Sequence, residues 1–282
     1  MLGTRSRWIR ARPGRTSAAR AVDSSREHAT ASTAVGDEDA LPGDVGHDAA
    51  TMQLETITLS RCAEASGVVV VVDVLRAFTT AAHALGAGAA EVVCVSSVAD
   101  ALAERERWPG SLVMGEVGGR PVEGFDLSNS PCALSRVDVR GRTLIQRTSA
   151  GTQGVVGSVG ATALFATSFA SAAGTARAVA ALRPERVTFV ATGVDDRDGE
   201  EDLACADYLS ALLAGPPPDP APYLARVRGS DAARPFLAGD DPDFPGADVE
   251  TACQVDAVDF ALRAHLEGGR PVLRPDPAAT RT

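Results

Sequence analysis

The sequence contains no lysine, and asparagine occurs only once, as Asn129. Arginine is therefore the only permanently charged basic side chain. An asparagine retained in such a composition is a candidate for a role that arginine or aspartate cannot perform, because its amide both donates and accepts hydrogen bonds. The alternative is that Asn129 only shapes a tight turn before Pro131. Its neighbours, considered below, favour the functional interpretation.

Aromatic residues are also scarce, at 4% against 45% hydrophobic residues, so the core must be built from valine, alanine and leucine. The net charge of −10 argues against nucleic acid or an anionic membrane surface as a partner. No apolar run approaches the roughly 20 residues of a membrane span, and no secretory signal peptide is visible. An anionic substrate would need local arginines or a bound cation to offset the acidic protein.

The cysteines also lack the close spacing that is typical of a disulfide or a zinc site. The chain has five cysteines, an odd number, and no CxxC pair. This favours reduced thiols in a cytoplasmic protein over a disulfide framework or a zinc site. The four histidines are scattered along the chain, which argues against a histidine-based mechanism.

The first 51 residues differ in composition from the rest of the chain. Arginines without acids come first, acids follow, and Ala, Ser, Thr and Gly fill the gaps without an apolar period. This composition predicts a disordered N-terminal extension over 1–51. Because ordered patterning begins at Met52, we hypothesise that the true start of the protein lies near it. A single domain is predicted over 52–275, followed by a flexible tail over 276–282.

Strand and helix patterns alternate after residue 53. The β-branched run 67–73 predicts a strand buried on both faces. Further strands are predicted at 91–95, 111–114, 143–146, 163–165 and 186–191. Helices are predicted at 76–85, 98–107, from 152, at 172–182 and at 201–213. Residues after 219 are rich in Pro, Asp and Gly and predict short helices on the same core. This alternation predicts a three-layer α/β/α sandwich with a largely parallel or mixed sheet.

Ligands in doubly wound sheets bind beyond the carboxyl ends of the strands, and several acidic residues fall at such ends. Asp73 ends the buried strand and is followed by Arg76, although Asp73 could equally cap the next helix. Glu116 follows another strand, and the same loop carries Asp126 and Asn129. A solvated loop is the alternative for these carboxylates.

Two further clusters lie between a strand and a helix. Six acids occur within residues 195–202, where Glu201 and Asp202 are best placed to face the strand ends. Carboxylates without clustered His or Cys favour a hard cation such as Mg²⁺. A segment of small hydroxyl residues and glycine opens a helix and could bind an anion through its free amides, or could be an ordinary helix cap. This segment comprises Arg147, Thr148, Ser149, Gly151 and Thr152.

Four sequence segments together resemble the 2-phosphosulfolactate phosphatase family. They are DVLRA from Asp73, GE…GFDLSNSP from Gly115, TSAGT from Thr148, and ED-x-x-CA from Glu201, in this order and at similar spacing. The resemblance covers roughly residues 55–275. It implies a Mg²⁺-dependent phosphatase acting on a small anionic phosphorylated 2-hydroxy acid, as in coenzyme M biosynthesis, and a homodimer is one possible assembly.

The resemblance also implies roles for individual residues. Asp73 and Arg76 would be catalytic, with Asp73 either a nucleophile or a metal ligand. The metal would be held by Asp73, Glu116, Asp126, Glu201 and Asp202. Phosphate would be bound by Asn129, Arg147, Thr148, Ser149, Gly151 and Thr152. The family usually reads TTNGT where this chain has an alanine, Ala150, in place of the asparagine. A non-catalytic protein that binds a phosphorylated or sulfonated metabolite is the alternative.

Overall fold

A computed structural model describes residues 52–193 and 199–277. The predicted extension 1–51 lies outside the described residues, and so do Asp195, Asp196 and Asp198 of the acidic run. All described residues belong to one compact unit. Within them, no helix has both the length and the apolar character that crossing a membrane requires.

The described residues form a ten-stranded sheet with the order β1-β8-β2-β7-β9-β10-β3-β6-β4-β5. The strands are β1 (Gln53–Thr58), β2 (Val68–Val72), β3 (Glu91–Val95), β4 (Leu112–Gly115), β5 (Leu127–Ser128), β6 (Thr143–Arg147), β7 (Ala163–Thr167), β8 (Arg186–Ala191), β9 (Ala261–Glu267) and β10 (Arg270–Asp276). The helices are α1 (Ala77–Gly86), α2 (Val98–Arg107), α3 (Pro131–Leu134), α4 (Gly151–Gly157), α5 (Ala172–Ala181), α6 (Glu200–Ala214), α7 (Ala221–Gly229), α8 (Arg234–Ala238) and α9 (Gly246–Ala252).

The sheet consists of two parallel blocks joined by an antiparallel hairpin. Strands β1, β8, β2 and β7 are parallel to one another, and so are β3, β6, β4 and β5. The β9–β10 hairpin pairs antiparallel with β7 on one side and with β3 on the other, so the second block runs opposite to the first. The predicted α/β sandwich is therefore confirmed, with a mixed sheet.

Alternating residues of β2 show how the layers form. Val69 and Val71 are fully buried and belong to the apolar cluster that contains Phe78 of α1 and Val155 of α4. The other valines of β2 point to the opposite face, into the cluster that contains Phe165 of β7 and Leu209 of α6. Because side chains alternate across a strand, a continuous valine run can serve both layers. Helix α2 covers the second block on a smaller third cluster.

The C-terminal third differs from its prediction. Short helices α7, α8 and α9 follow residue 219 as expected, but the chain then enters the middle of the sheet as β9 and β10. Asp276, which was predicted to begin a flexible tail, is instead the last residue of β10, and it pairs with Ala261. Its carboxylate also accepts a hydrogen bond from Arg263.

Candidate active site

Asp73 lies where the end of β2 and the starts of α1 and α4 meet. It is 5% exposed, and its Oδ1 accepts a hydrogen bond from the Ala77 amide at 2.9 Å, so its side chain binds the first amide of α1 although Arg76 is the N-cap residue. Gly151 begins α4 directly against it. A Cβ added at Gly151 would lie 2.6 Å from Asp73 Oδ2 and 2.6 Å from the Ala77 side chain. Only glycine at this position lets the helix approach the carboxylate so closely.

Helix α4 brings the two blocks of the sheet together at this point. The pairing directions alone would send the carboxyl ends of β2 and β6 to opposite edges. Helix α4, which follows β6, packs on β2, β3 and β7 and so reaches back to Asp73.

Burial raises the pKa of Asp73 to about 7, against an ordinary value of 3.8. The Ala77 and Gly151 amides oppose this rise, while the negative charges of Glu116 and Glu201 add to it. Burial also raises the pKa of Asp202 well above its ordinary range, and the charges of Glu201 and Asp73 contribute. These four carboxylates thus share one electrostatic cluster, which a cation would relieve.

Glu116 connects the second block to this cluster. It follows Gly115, whose φ is +146° and whose missing Cβ would lie 1.9 Å from the Arg147 carbonyl oxygen, so only glycine fits there. The Glu116 carboxylate accepts hydrogen bonds from the Ser149 amide (2.5 Å), the Ser149 hydroxyl (3.0 Å) and the Gly119 amide (2.6 Å). It therefore holds the turn after β4 against the start of α4.

The start of α4 was predicted to present free amides to an anion, and the structure corrects this. The Ser149 amide is bound by Glu116, and the Gly151 amide by Asp73. Thr148 and Thr152 cap each other: the Thr152 amide donates to the Thr148 hydroxyl at 3.0 Å, and the Thr148 amide donates to the Thr152 hydroxyl at 2.8 Å. Side chains of the protein occupy these amides, as the capping alternative requires.

Arg76 was predicted to grip phosphate, but its guanidinium is held by the protein. It is 4% exposed. Its Nη1 donates to Asp248 and to the Asp243 carbonyl, both at 2.9 Å, and its Nη2 donates to the Gly119 carbonyl at 2.8 Å. The ring of Phe236 lies 4.8 Å from the guanidinium carbon. The forked geometry expected for phosphate is therefore used on internal acceptors.

Arg147 is the arginine best placed to meet an anion. Its Nη1 donates to the Glu116 carbonyl at 2.6 Å, and weaker contacts at 3.4 Å reach the Ser96 carbonyl and the Ser149 hydroxyl. No carboxylate among the described residues forms an ion pair with it. Backbone acceptors thus orient its positive charge without neutralising it.

Two of the predicted metal ligands have other partners. Asp126 is paired with Arg105 at 2.6 Å and accepts the Val113 amide at 2.8 Å, and its side chain is 38% exposed. Asp202 is buried and accepts four hydrogen bonds. These come from the Val74 amide (2.8 Å), the Thr192 amide and hydroxyl (3.1 Å each) and the Gly193 amide (3.0 Å). Asp202 therefore ties β2 to β8, and its oxygens are used in doing so.

A ligand set of three or more carboxylates was expected, and the described part of the chain has no group of three His, Cys, Asp or Glu placed to hold one ion. Mg²⁺ nevertheless fits the chemistry of the cluster. It keeps several waters and is usually bound through one or two carboxylates together with substrate phosphate. Asp73 and the buried Glu201, whose charge raises the pKa of Asp73, meet that smaller requirement.

Asn129 is 3% exposed, and a neighbouring glutamine sets its orientation. Gln146 is fully buried in β6, and its Nε2 donates to the Ala77 carbonyl (2.9 Å) and to Asn129 Oδ1 (3.2 Å). Because a carbonyl only accepts, the Gln146 atom facing Ala77 must be its amino group. Asn129 then meets Gln146 with its oxygen, and its own amino group points away from Gln146.

Sequence reasoning missed two residues, Gln146 and Asp248. A polar amide directly after the apolar pair Leu144 and Ile145 in a predicted strand was a usable signal for Gln146, since buried amides need partners. No comparable signal marked Asp248, which lies in an acidic and proline-rich stretch yet is fully buried.

Comparison with known proteins shows which family this chain resembles over most of its length. Residues 54–238 match the family described as 2-phosphosulpholactate phosphatase. A Bacillus subtilis (strain 168) protein named probable 2-phosphosulfolactate phosphatase is 31% identical over 207 residues, covering 72% of this chain and 90% of the relative. A Carboxydothermus hydrogenoformans protein of the same name is 34% identical over 223 residues, covering 73% of this chain and 89% of the relative. All the carboxylates of the cluster fall within the matched residues.

Proposed function

The chain belongs to the 2-phosphosulpholactate phosphatase family, and on this premise we propose that it is a Mg²⁺-dependent phosphatase that hydrolyses 2-phosphosulfolactate or a closely similar phosphorylated 2-hydroxy acid. The observation that carries the proposal is the position of Asp73. This buried carboxylate, with its pKa raised to about 7, lies in a cluster that also contains Glu116 and Glu201. We place the protein in the cytoplasm, since its five cysteines are free thiols.

The substrate's phosphate carries nearly two negative charges near neutrality. Arg147 offsets part of this charge, because its guanidinium is oriented by backbone carbonyls and has no acidic partner among the described side chains. The Asn129 amino group, turned away from Gln146, is a second donor for an anionic oxygen. These two side chains bind and orient the substrate.

Mg²⁺, when bound, would polarise a phosphoryl oxygen and stabilise the leaving alkoxide. Glu201 would hold it, together with Asp73 if Asp73 is a metal ligand. Glu116 lies beside them and fixes Ser149. Asp73 is either a metal ligand or the nucleophile that attacks phosphorus. Single-turnover reactions quenched in acid separate these roles, because only a nucleophile leaves a phosphoryl group on the peptide that contains Asp73.

Phosphate release from 2-phosphosulfolactate tests the function directly. We expect turnover with Mg²⁺ and none after treatment with EDTA, with recovery when excess Mg²⁺ is added. Asp73→Asn should lower kcat on the order of a thousandfold, equivalent to about 4 kcal/mol of barrier. Asp126→Asn is the matched control and should stay within about twofold of the parent, because Asp126 pairs with Arg105. Tight substrate binding without any phosphate release would instead favour a non-catalytic binding protein.

A further inference from the structure

We propose that Asp248 is a positioning residue for this phosphatase site, acting through Arg76 and Gly119 on Glu116. The inference rests on the proposed function for its kinetic consequences, but the contacts that carry it are independent of the reaction. Asp248 lies in α9, outside the residues 54–238 that match the family.

Asp248 and Arg76 form a buried ion pair. Their charged atoms are 2.9 Å apart, and their side chains are 0% and 3% exposed. The second oxygen of Asp248 accepts hydrogen bonds from the Ser130 hydroxyl at 2.8 Å and from the Cys132 amide at 3.1 Å. Both oxygens of this carboxylate are therefore satisfied, as a buried charge requires.

A hydrogen-bonded chain continues from this pair to Glu116. Arg76 Nη2 donates to the Gly119 carbonyl at 2.8 Å, and the Gly119 amide donates to Glu116 Oε2 at 2.6 Å. The Phe244 ring also packs against the turn, 2.9 Å from where a Gly119 Cβ would lie. The same turn is thus held by Arg76 and by an aromatic ring, so its amide meets Glu116 in one orientation.

Asp248 also anchors the segment that carries Asn129. Two of its three donors follow Asn129 closely in the chain: Ser130 is the next residue, and Cys132 lies in α3. One buried carboxylate therefore connects the chain after Asp73, the turn after Glu116 and the loop after Asn129. These three segments carry residues of the site, although they are far apart in sequence.

Arg76 has the wrong surroundings for a direct phosphate contact. Three protein oxygens accept its hydrogen bonds. The rings of Phe236 and Phe244 lie 4.8 and 5.5 Å from its guanidinium carbon. Arg76 therefore supports the site and does not bind the substrate. Loss of its partner Asp248 should disturb the geometry of the site and slow the chemical step, while substrate affinity should change little.

The test compares Asp248→Asn and Arg76→Lys with the parent. We expect kcat to fall roughly thirtyfold in both variants while KM stays within about threefold. Asp248→Glu, which keeps the carboxylate, should recover part of the lost kcat. Arg120→Gln is the matched control, because Arg120 lies on the same turn and joins Asp241 and Asp243 through an exposed side chain. It should stay within about twofold of the parent.

Hydrogen–deuterium exchange supplies a readout that does not depend on activity. Amides of the 117–120 turn should exchange faster in Asp248→Asn and Arg76→Lys, while those of β2 stay protected. Unchanged turn exchange, or a raised KM with an unchanged kcat, would overturn the proposal. If Asp248→Asn does not fold, Arg76→Lys carries the same two expectations. A parent without phosphatase activity would refute the proposed function, and the exchange result would still decide whether Asp248 positions the turn.

Discussion

Glu116 and Ser149 are joined by two hydrogen bonds, one from the Ser149 amide at 2.5 Å and one from its hydroxyl at 3.0 Å. This pair links the turn after β4 to the start of α4. It places a carboxylate where the sequence pattern predicted a bound anion. The negative charge that a helix N-terminus favours is thus supplied by the Glu116 carboxylate. The positive charge that the substrate needs must come from Arg147 or a bound cation.

Glu116→Gln should lower kcat/KM about a hundredfold, equivalent to about 2.7 kcal/mol. Gln keeps one acceptor oxygen but turns an amino group toward the donors that Glu116 now satisfies, and it removes a charge from the Asp73 cluster. Steady-state kinetics with 2-phosphosulfolactate measure the loss. Glu123→Gln, on the exposed part of the same loop, is the control and should keep parental activity. Equal activity of the two variants would remove Glu116 from the site.

Asp73→Asn should change how stability depends on pH. Below the ordinary pKa of 3.8, Asp73 is protonated both folded and unfolded, so it contributes no pH dependence. Between about 4 and about 7 the unfolded chain releases the proton and the folded protein keeps it, so the free energy of unfolding falls as pH rises. This loss is complete above about 7 and corresponds to at most about 4 kcal/mol.

Urea unfolding of the parent and of Asp73→Asn at pH 5 and pH 8, with EDTA present, measures this effect. Asn carries no charge at either pH, so the variant should gain stability relative to the parent on going from pH 5 to pH 8. A constant difference between the two proteins at both pH values would show that the pKa of Asp73 is not raised.

The fold was predictable where local pattern decided it. The β-branched run before Asp73 gave β2, and the alternation of strands and helices gave the three layers. The β9–β10 hairpin was missed because the segment after residue 219, rich in Pro, Asp and Gly, was predicted to form only short helices, and prolines such as Pro271 and Pro275 are unusual in a central strand. In the structure both prolines lie in register with β9, whereas the pairing of β10 with β3 is limited to Val272 and Leu273.

The site was predictable only in part, because several of its contacts depend on tertiary packing. Sequence segments identified Asp73, Glu116 and Glu201, which the structure brings into one electrostatic cluster. They could not show that Arg76 meets Asp248, since the two residues are 172 positions apart in the chain. Nor could they show that Arg105 neutralises Asp126. Such pairings depend on tertiary packing, which residue type and spacing do not encode.

Arg147→Lys should raise KM more than it lowers kcat, with kcat/KM falling roughly thirtyfold. Lysine keeps the charge but cannot reproduce the planar fork that now donates to the Glu116 and Ser96 carbonyls, so its ammonium would be poorly oriented toward phosphate. Arg105→Lys is the control, because Arg105 is a partly exposed partner of Asp126. A kcat/KM for Arg147→Lys equal to that of the control would exclude Arg147 as a phosphate contact.

Ala150→Asn restores the asparagine that the family usually carries in this segment. Ala150 is the N-cap residue of α4 and supplies no side-chain cap, and the Thr152 amide is already bound by Thr148. A new amide therefore adds little to helix stability, and its amino group is available to a bound anion. We expect KM to fall about fivefold, equivalent to about 1 kcal/mol, with the free energy of unfolding changed by less than about 0.5 kcal/mol.

Ala87→Asn, at an exposed helix end, is the control. The opposite pattern, an unchanged KM with a protein stabilised by about 1 kcal/mol, would mean that the family asparagine only shapes the turn.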